Sequence, residues 1–166
     1  MELMDKFDNK RRSLNKVGER YHEEKDEYVQ GVHVWIINSN KELLIQKRCP
    51  TKKIHPNIWS TTGGGVDAGE TTLDTAIREC KEELGVDITY DEIELIMSYR
   101  RSYDFVDIWL VRKDIDIKDI VIQEEEVSEV KWVSFEEIEE LMKNNKTSEN
   151  VKTYFYLFKD LVNRYY

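Results

Sequence analysis

Residues 64–86 read GGVDAGETTLDTAIRECKEELGV, and this stretch predicts a glycine turn followed by one amphipathic helix. The helix starts at Thr71 or Thr72, because a hydroxyl-bearing residue can cap the first turn. It ends before Gly85, since glycine readily takes the left-handed conformation that follows a helix. Apolar residues recur at helical spacing and form one stripe that we expect to be buried: Leu73, Ala76, Ile77, Cys80 and Leu84.

The opposite face of the predicted helix carries three carboxylates, Glu79, Glu82 and Glu83, at spacings i, i+3 and i+4. Like charges about 4 Å apart repel by roughly 4 kcal/mol at an effective dielectric near 20. One interpretation is a solvated helix face. The other is a metal site, because Mg²⁺ prefers oxygen ligands and would turn the repulsion into attraction.

The pattern of this stretch resembles the Nudix box, G-x5-E-x7-R-E-U-x-E-E-x-G-U, where U is a bulky apolar residue. The matching residues are Gly64, Glu70, Arg78, Glu79, Cys80, Glu82, Glu83, Gly85 and Val86, with the small Cys80 in a U position. The resemblance implies an α+β fold in which a mixed β-sheet lies between α-helices (α/β/α), here with an N-terminal β extension. It also implies a Mg²⁺-dependent pyrophosphohydrolase that cleaves a diphosphate linkage in a nucleoside diphosphate derivative.

The same resemblance assigns roles to residues of the box. It implies that Glu79, Glu82 and Glu83 bind the metal and act in catalysis, and that the Gly63 carbonyl adds a ligand. Glu79 is alternatively the group that orients or deprotonates the attacking water. Arg78 is expected to pair with Glu70 and so to hold the carboxylates in place. Mn²⁺ is an alternative to Mg²⁺.

Two charged segments outside the box are candidates for the same site. Glu124, Glu125 and Glu126 precede a predicted strand, in the region where members of the resembled family supply a further acidic residue, and we favour Glu126 as catalytic. A solvated loop is the alternative. Lys47 and Arg48 belong to a basic cluster, and the resemblance makes them candidates to bind substrate phosphate.

Thr62 stands where many Nudix sequences have proline, and this departure resembles the branch that includes isopentenyl-diphosphate isomerase. That enzyme needs a catalytic cysteine, but the matching position here is Gly64, which disfavours isomerisation. A non-catalytic nucleotide-binding module is a third hypothesis, disfavoured because every box glutamate is retained. Tyr103 lies at a distance from the box associated with dinucleoside polyphosphate cleavage, although a strand aromatic is the preferred interpretation.

Residues 1–166 are predicted to form a single domain. The segment 1–30 is interpreted as a β-hairpin, with strands near 3–8 and 17–22, or as an arm. Two apolar runs, 32–37 and 43–45, predict a hairpin of buried strands. Further strands are predicted at 93–98, 106–111 and 127–133, a helix after the capping box at Ser134, and a C-terminal amphipathic helix at 150–165.

Charge and cysteine content restrict the partners. The net charge of −9 argues against general binding of nucleic acid polymers, because such binding needs many Lys and Arg residues on phosphates. We therefore expect a small nucleotide or diphosphate substrate. Cys49 and Cys80 do not form a disulfide framework, no apolar run is long enough to span a membrane, and the N-terminus lacks an apolar signal segment. These features favour a cytoplasmic location, with a homodimer as an open alternative to a monomer.

Overall fold

The computed structural model describes residues 3–20 and 24–166. The helices are α1 (Thr72–Leu84), α2 (Phe135–Lys143) and α3 (Glu149–Tyr165). The strands are β1 (Leu3–Phe7), β2 (Ser13–Glu19), β3 (Val29–Ile37), β4 (Leu43–Arg48), β5 (Trp59–Ser60), β6 (Thr62–Gly65), β7 (Ile93–Arg100), β8 (Asp104–Arg112) and β9 (Val127–Val133). No helix within these ranges combines the length and the apolar character that a membrane span requires.

The main sheet is mixed. Its centre is a parallel pairing of β3 with β8, from Val29 opposite Asp104 to Ile37 opposite Arg112. The predicted hairpin of β3 and β4 is paired only next to its turn, at Ile37 and Leu43. Beyond that point β4 pairs with β9 and β5, and β6 pairs with the first half of β3 instead. This divergence places the glycines of β6 between β3 and helix α1.

Both faces of the sheet are covered, as the α/β/α expectation requires. Side chains alternate between the two faces of a strand. On β3, Val32, Val34 and Ile36 pack with α1, whereas Trp35 and Ile37 pack with α2 and α3. Trp59 also belongs to the cluster under α2 and α3 and is a core residue. The predicted fold class is therefore confirmed.

Helix α1 begins and ends as the sequence indicates. Thr71 is the N-cap and forms a capping box with Asp74, and Gly85 follows the helix in the left-handed region at φ 67°. Cys80 is fully buried, and burial raises the pKa of its thiol well above the ordinary value. A thiol held neutral in the core suits packing and not nucleophilic attack.

The N-terminal segment forms an antiparallel pair, β1 with β2. The second strand begins earlier than predicted, at Ser13, and residues 21 and 22 of that prediction lie outside the described ranges. Phe7 and Tyr28 exchange backbone hydrogen bonds of 2.8 and 2.9 Å. Arg11 reaches Asp107 on β8 with two hydrogen bonds of 2.7 and 2.5 Å, so the hairpin is tied to the central sheet.

Candidate active site

The glycine turn lies directly under the acidic face of helix α1. A Cβ atom on Gly64 would lie 2.2 Å from Oε1 of Glu79, which is closer than Cβ atoms come to non-bonded atoms in proteins. The absence of a side chain at Gly64 therefore gives the Glu79 carboxylate its place against the backbone of β6. A side chain at position 64 would displace the Glu79 carboxylate from this place.

Glu83 is the most deeply buried of the three box carboxylates, with 7% of its surface exposed. It accepts hydrogen bonds from Nε2 of Gln46 at 2.7 Å and from the backbone N–H of Gly63 at 3.3 Å. Burial, and secondarily the nearby charge of Glu79, raise the pKa of Glu83 to about 8. Both donors are neutral, so the described contacts give this carboxylate hydrogen bonds without a positive partner.

Glu79 and Glu82 are held by one guanidinium group. Nη1 of Arg78 donates to Glu79 at 3.1 Å and to Glu82 at 2.9 Å, and its Nε donates to Glu70 at 3.0 Å. Glu70 also accepts from the hydroxyl of Thr75 at 2.6 Å. The expected Arg78–Glu70 contact is thus present. It orients the Arg78 guanidinium, which holds the carboxylates of Glu79 and Glu82. Burial raises the pKa of Glu79 in spite of this contact.

The box carboxylates have the chemistry of metal ligands but do not point to a common centre. Within residues 3–20 and 24–166, no group of three Asp, Glu, His or Cys side chains is placed to hold one metal ion. The reason is that Glu79 and Glu82 turn to Arg78 while Glu83 turns to Gln46. The chemistry of the donors nevertheless fits a hard divalent cation, because all are carboxylate oxygens and two of them are desolvated.

The segment before β9 meets the basic loop in the same place. Glu126 forms an ion pair with Nη1 of Arg48 at 3.2 Å and another with Lys52. Glu124 and Glu125 are exposed, so Glu126 is the member of the acidic run that reaches the site. A cavity of about 650 Å³ is lined by Glu126 and Arg48 together with the box carboxylates Glu79, Glu82 and Glu83.

Lys47 is not brought to this site. On β4, Gln46 and Arg48 face the helix α1 side, and the alternation of a strand turns Lys47 to the other side. Its ammonium lies 3.6 Å from Glu129 and 5.7 Å from the ring centre of Trp59. Lys47 is not among the described residues that line the cavity, so the structure does not bring it together with Arg48 there.

Two further residues belong to the site and were not identified from the sequence. Gln46 holds Glu83, and only its position two residues before Arg48 on the same strand could have suggested this. Arg20, from the N-terminal hairpin, also lines the cavity, and its positive charge acts on Glu79. A Cβ atom on Gly65 would lie 3.3 Å from the Arg20 guanidinium carbon, so Arg20 packs on the glycine turn. Nothing in the charged segment 1–30 singled out Arg20.

A second cavity, of about 300 Å³, opens beside the first and shares Arg20, Arg48 and Glu83 with it. Tyr103 lines this second cavity. It lies in the turn before β8, so the preferred interpretation of Tyr103 as a strand aromatic is wrong.

Known proteins and solved structures are similar to this chain over most of its length. The model of the NUDIX domain matches residues 27–155. An uncharacterized Nudix hydrolase of Listeria innocua is 39% identical over 127 residues, which are 76% of this chain and 73% of the relative. A crystal structure from Deinococcus radiodurans shares the fold with a TM-score of 0.75 at 22% identity, and the match covers 99% of this chain and 100% of that one.

A shorter match concerns the isomerase branch. The isopentenyl-diphosphate Delta-isomerase of Salmonella heidelberg is 41% identical over 56 residues, which are 33% of this chain and 31% of the isomerase. The family model and the Listeria relative cover far more of the chain than this segment does. The chain therefore belongs to the Nudix family and is a hydrolase that acts on pyrophosphate bonds.

Proposed function

We propose that this chain is a Mg²⁺-dependent pyrophosphohydrolase that cleaves the diphosphate linkage of a nucleoside diphosphate derivative. The observation that supports it is one cavity that brings carboxylates and guanidinium groups together, among them Glu79, Glu82, Glu83, Glu126, Arg20 and Arg48. The carboxylates suit a divalent cation. The guanidinium groups in the same cavity suit the oxygens of a diphosphate.

Glu79, Glu82 and Glu83 would hold the cation, with the backbone of Gly63 at the same wall of the cavity. When bound there, Mg²⁺ would supply charge neutralisation for the diphosphate oxygens and acidification of water. Mn²⁺ has the same preference for oxygen ligands and is the alternative cation for this site.

The residues of the chain supply position and charge. Arg48 and Arg20 bind phosphate oxygens, because each guanidinium lines the cavity and can donate several N–H groups. Glu126 holds Arg48 in the cavity through its ion pair and is, with Glu79, a candidate to take the proton of the attacking water. Arg78 keeps Glu79 and Glu82 in place until a cation binds.

Product analysis tests this proposal. The purified protein is incubated with Mg²⁺, with Mn²⁺ or with EDTA, against nucleoside di- and triphosphates, nucleotide sugars, dinucleoside polyphosphates and isopentenyl diphosphate. We expect metal-dependent release of a nucleoside monophosphate or of phosphate. Isomerisation of isopentenyl diphosphate, or nucleotide binding without any turnover, would contradict the proposal in favour of an isomerase or a binding module.

A pair of variants separates a metal role from a general charge effect. Glu82→Gln should lower turnover at least about 100-fold, because it removes a proposed metal ligand. Glu94→Gln is a matched control, since Glu82 and Glu94 are each 51% exposed and each is paired with one arginine. Equal activity of the two variants would remove Glu82 from the metal site.

Two further expectations concern location and oligomeric state. A cytoplasmic location fits the free and buried Cys49 and Cys80, because a reducing compartment keeps such thiols unpaired. The homodimer alternative is settled by light scattering on the purified protein.

A further inference from the structure

A third cavity, of about 340 Å³, lies at the other end of β3 from the glycine turn. It is formed by the turn between β3 and β4, the end of β8 and the end of α3. Among the described residues, none lines both this cavity and either of the two cavities at the box. A step of four residues along β3, about 13 Å, leads from Ile37 at this cavity to His33 at the second one. The chemistry proposed at the box therefore does not use it.

The inner wall of this third cavity is apolar. Ile37 and Val162 line it, and both are buried members of the core cluster under α2 and α3. The partly exposed Tyr166 also belongs to the lining. Small-molecule sites have volumes from about 300 Å³ upward and mostly apolar walls with a few polar groups. The cavity thus has the size and the surface to hold the apolar part of a small ligand.

The remaining lining carries more positive than negative charge. The charged residues of the described lining are Lys41, Arg112, Lys113 and Asp114. Lys113 is balanced by an ion pair of 2.6 Å with Glu92. The carboxylate of Asp114 accepts a hydrogen bond of 2.8 Å from the backbone N–H of Ser39. On a chain with a net charge of −9, this local excess of positive charge favours an anionic ligand.

Lys41 and Arg112 are the cations that are open to a new partner. No ion pair or side-chain hydrogen bond joins Lys41 to any residue within 3–20 and 24–166. Arg112 meets Glu94 through one contact of 3.4 Å between side chains that are 49% and 51% exposed, and such a pair contributes little. The Arg112 guanidinium carbon lies 4.8 Å from the ring centre of Tyr166, which keeps this cation beside the apolar wall.

We propose that this cavity is a second ligand site, for a small monoanion with an apolar body, of the class of the short-chain carboxylates. The apolar body lies against Ile37 and Val162, and the carboxylate meets Lys41 and Arg112. Arg112 then gains a charge-assisted hydrogen bond in place of its weak contact with Glu94. A ligand with more negative charge is disfavoured, because Asp114 lines the same cavity. This site does not depend on the proposed function, since it is separate from the cavities at the box.

Calorimetric titration of the whole chain in EDTA tests the site with hexanoate, 1-hexanol and acetate. The alcohol has the apolar body without the charge, and acetate has the charge with little apolar body. Each buried CH₂ group strengthens binding roughly fourfold, so hexanoate should bind at least about tenfold more tightly than acetate. The attraction to the two cations should make hexanoate bind at least about threefold more tightly than 1-hexanol.

A matched pair of variants separates the site from the general charge of the protein. Lys41→Glu replaces an attraction by a repulsion and should lower the affinity for hexanoate about tenfold, with the affinity for 1-hexanol changed less than about twofold. Lys118→Glu is the control, because it makes the same change of charge outside the lining, at a side chain that is 84% exposed. Equal effects of the two substitutions on hexanoate would overturn the site.

Nuclear magnetic resonance of the unmodified protein locates the ligand without any variant. The side-chain amide resonances of Asn38 and Asn163, which line the cavity, should shift on addition of hexanoate, and the backbone amides of residues 63–65 should not. Shifts confined to residues 63–65 would place hexanoate at the box and overturn the site. Absence of hexanoate binding, or binding no tighter than that of acetate or 1-hexanol, would overturn it as well.

Discussion

Glu83→Gln is expected to make the metal-free protein more stable while abolishing its activity. The Glu83 carboxylate is buried with neutral donors, and its pKa rises from 4.5 to about 8 on folding. In the native state at pH 7 it is therefore largely protonated, whereas in the unfolded chain it is ionised. The linkage between pKa and stability makes this a cost of about 3 kcal/mol to the native state at pH 7.

The glutamine side chain removes that cost and keeps the contacts. Its amide oxygen can still accept from Nε2 of Gln46 and from the N–H of Gly63. We expect a gain of about 3 kcal/mol in unfolding free energy at pH 7, or roughly 6–12 °C in melting temperature. Because the native pKa of Glu83 is raised, the wild-type loses stability as pH rises from about 4.5 to 8. The gain should therefore nearly vanish at pH 4 and be largest near pH 8.

Urea denaturation in EDTA between pH 4 and 8 measures this gain. Glu82→Gln serves as the control, because its carboxylate is 51% exposed and its loss should change stability by less than about 1 kcal/mol. Addition of Mg²⁺ should then stabilise the wild-type protein more than Glu83→Gln, because a ligand that binds only the native state adds stability. A Glu83→Gln protein that is no more stable than wild-type in EDTA at pH 7 would refute the reasoning.

Three further predictions follow from single contacts. Arg48→Ala should raise KM about 10–100-fold, because it removes a charge-assisted contact with substrate phosphate. Lys47→Ala is the control and should change KM less than about twofold, because Lys47 lies on the other side of β4. Steady-state kinetics measure both values, and equal effects of the two substitutions would contradict the placement of Arg48 in the site. Gly64→Ala places a methyl group 2.2 Å from the Glu79 carboxylate, and kcat should fall at least about 100-fold with an unchanged circular dichroism spectrum. Burial opposes ionisation of Asp107, but the hydrogen bonds that its carboxylate accepts outweigh burial and lower its pKa. The ionised carboxylate therefore adds to the free energy of unfolding above about pH 4, and this stabilisation is lost as pH falls through the lowered native pKa. In urea denaturation, Asp107→Asn should cost about 1–3 kcal/mol at pH 7 and less near pH 2, and a cost independent of pH would refute this.

The sequence alone determined the parts of this protein that depend on local geometry. Helical spacing places Glu79, Glu82 and Glu83 on one face and Cys80 on the other, since neighbours three and four apart in a helix share a side. The limits of α1 follow from Thr71 and Gly85, whose effects on the backbone are also local. The α/β/α class followed from the resemblance to the Nudix box, and the structure agrees with it.

Only the tertiary structure decided how distant segments meet. The charges of Lys47 and Arg48 are alike in the sequence, and the pairing of β4 with β5 and β9 selects which of them faces the cavity. Arg20 enters the site because the N-terminal hairpin packs on the glycine turn, and no local pattern records that contact. Such features depend on contacts between residues far apart in the chain, which periodicity and local propensity do not contain.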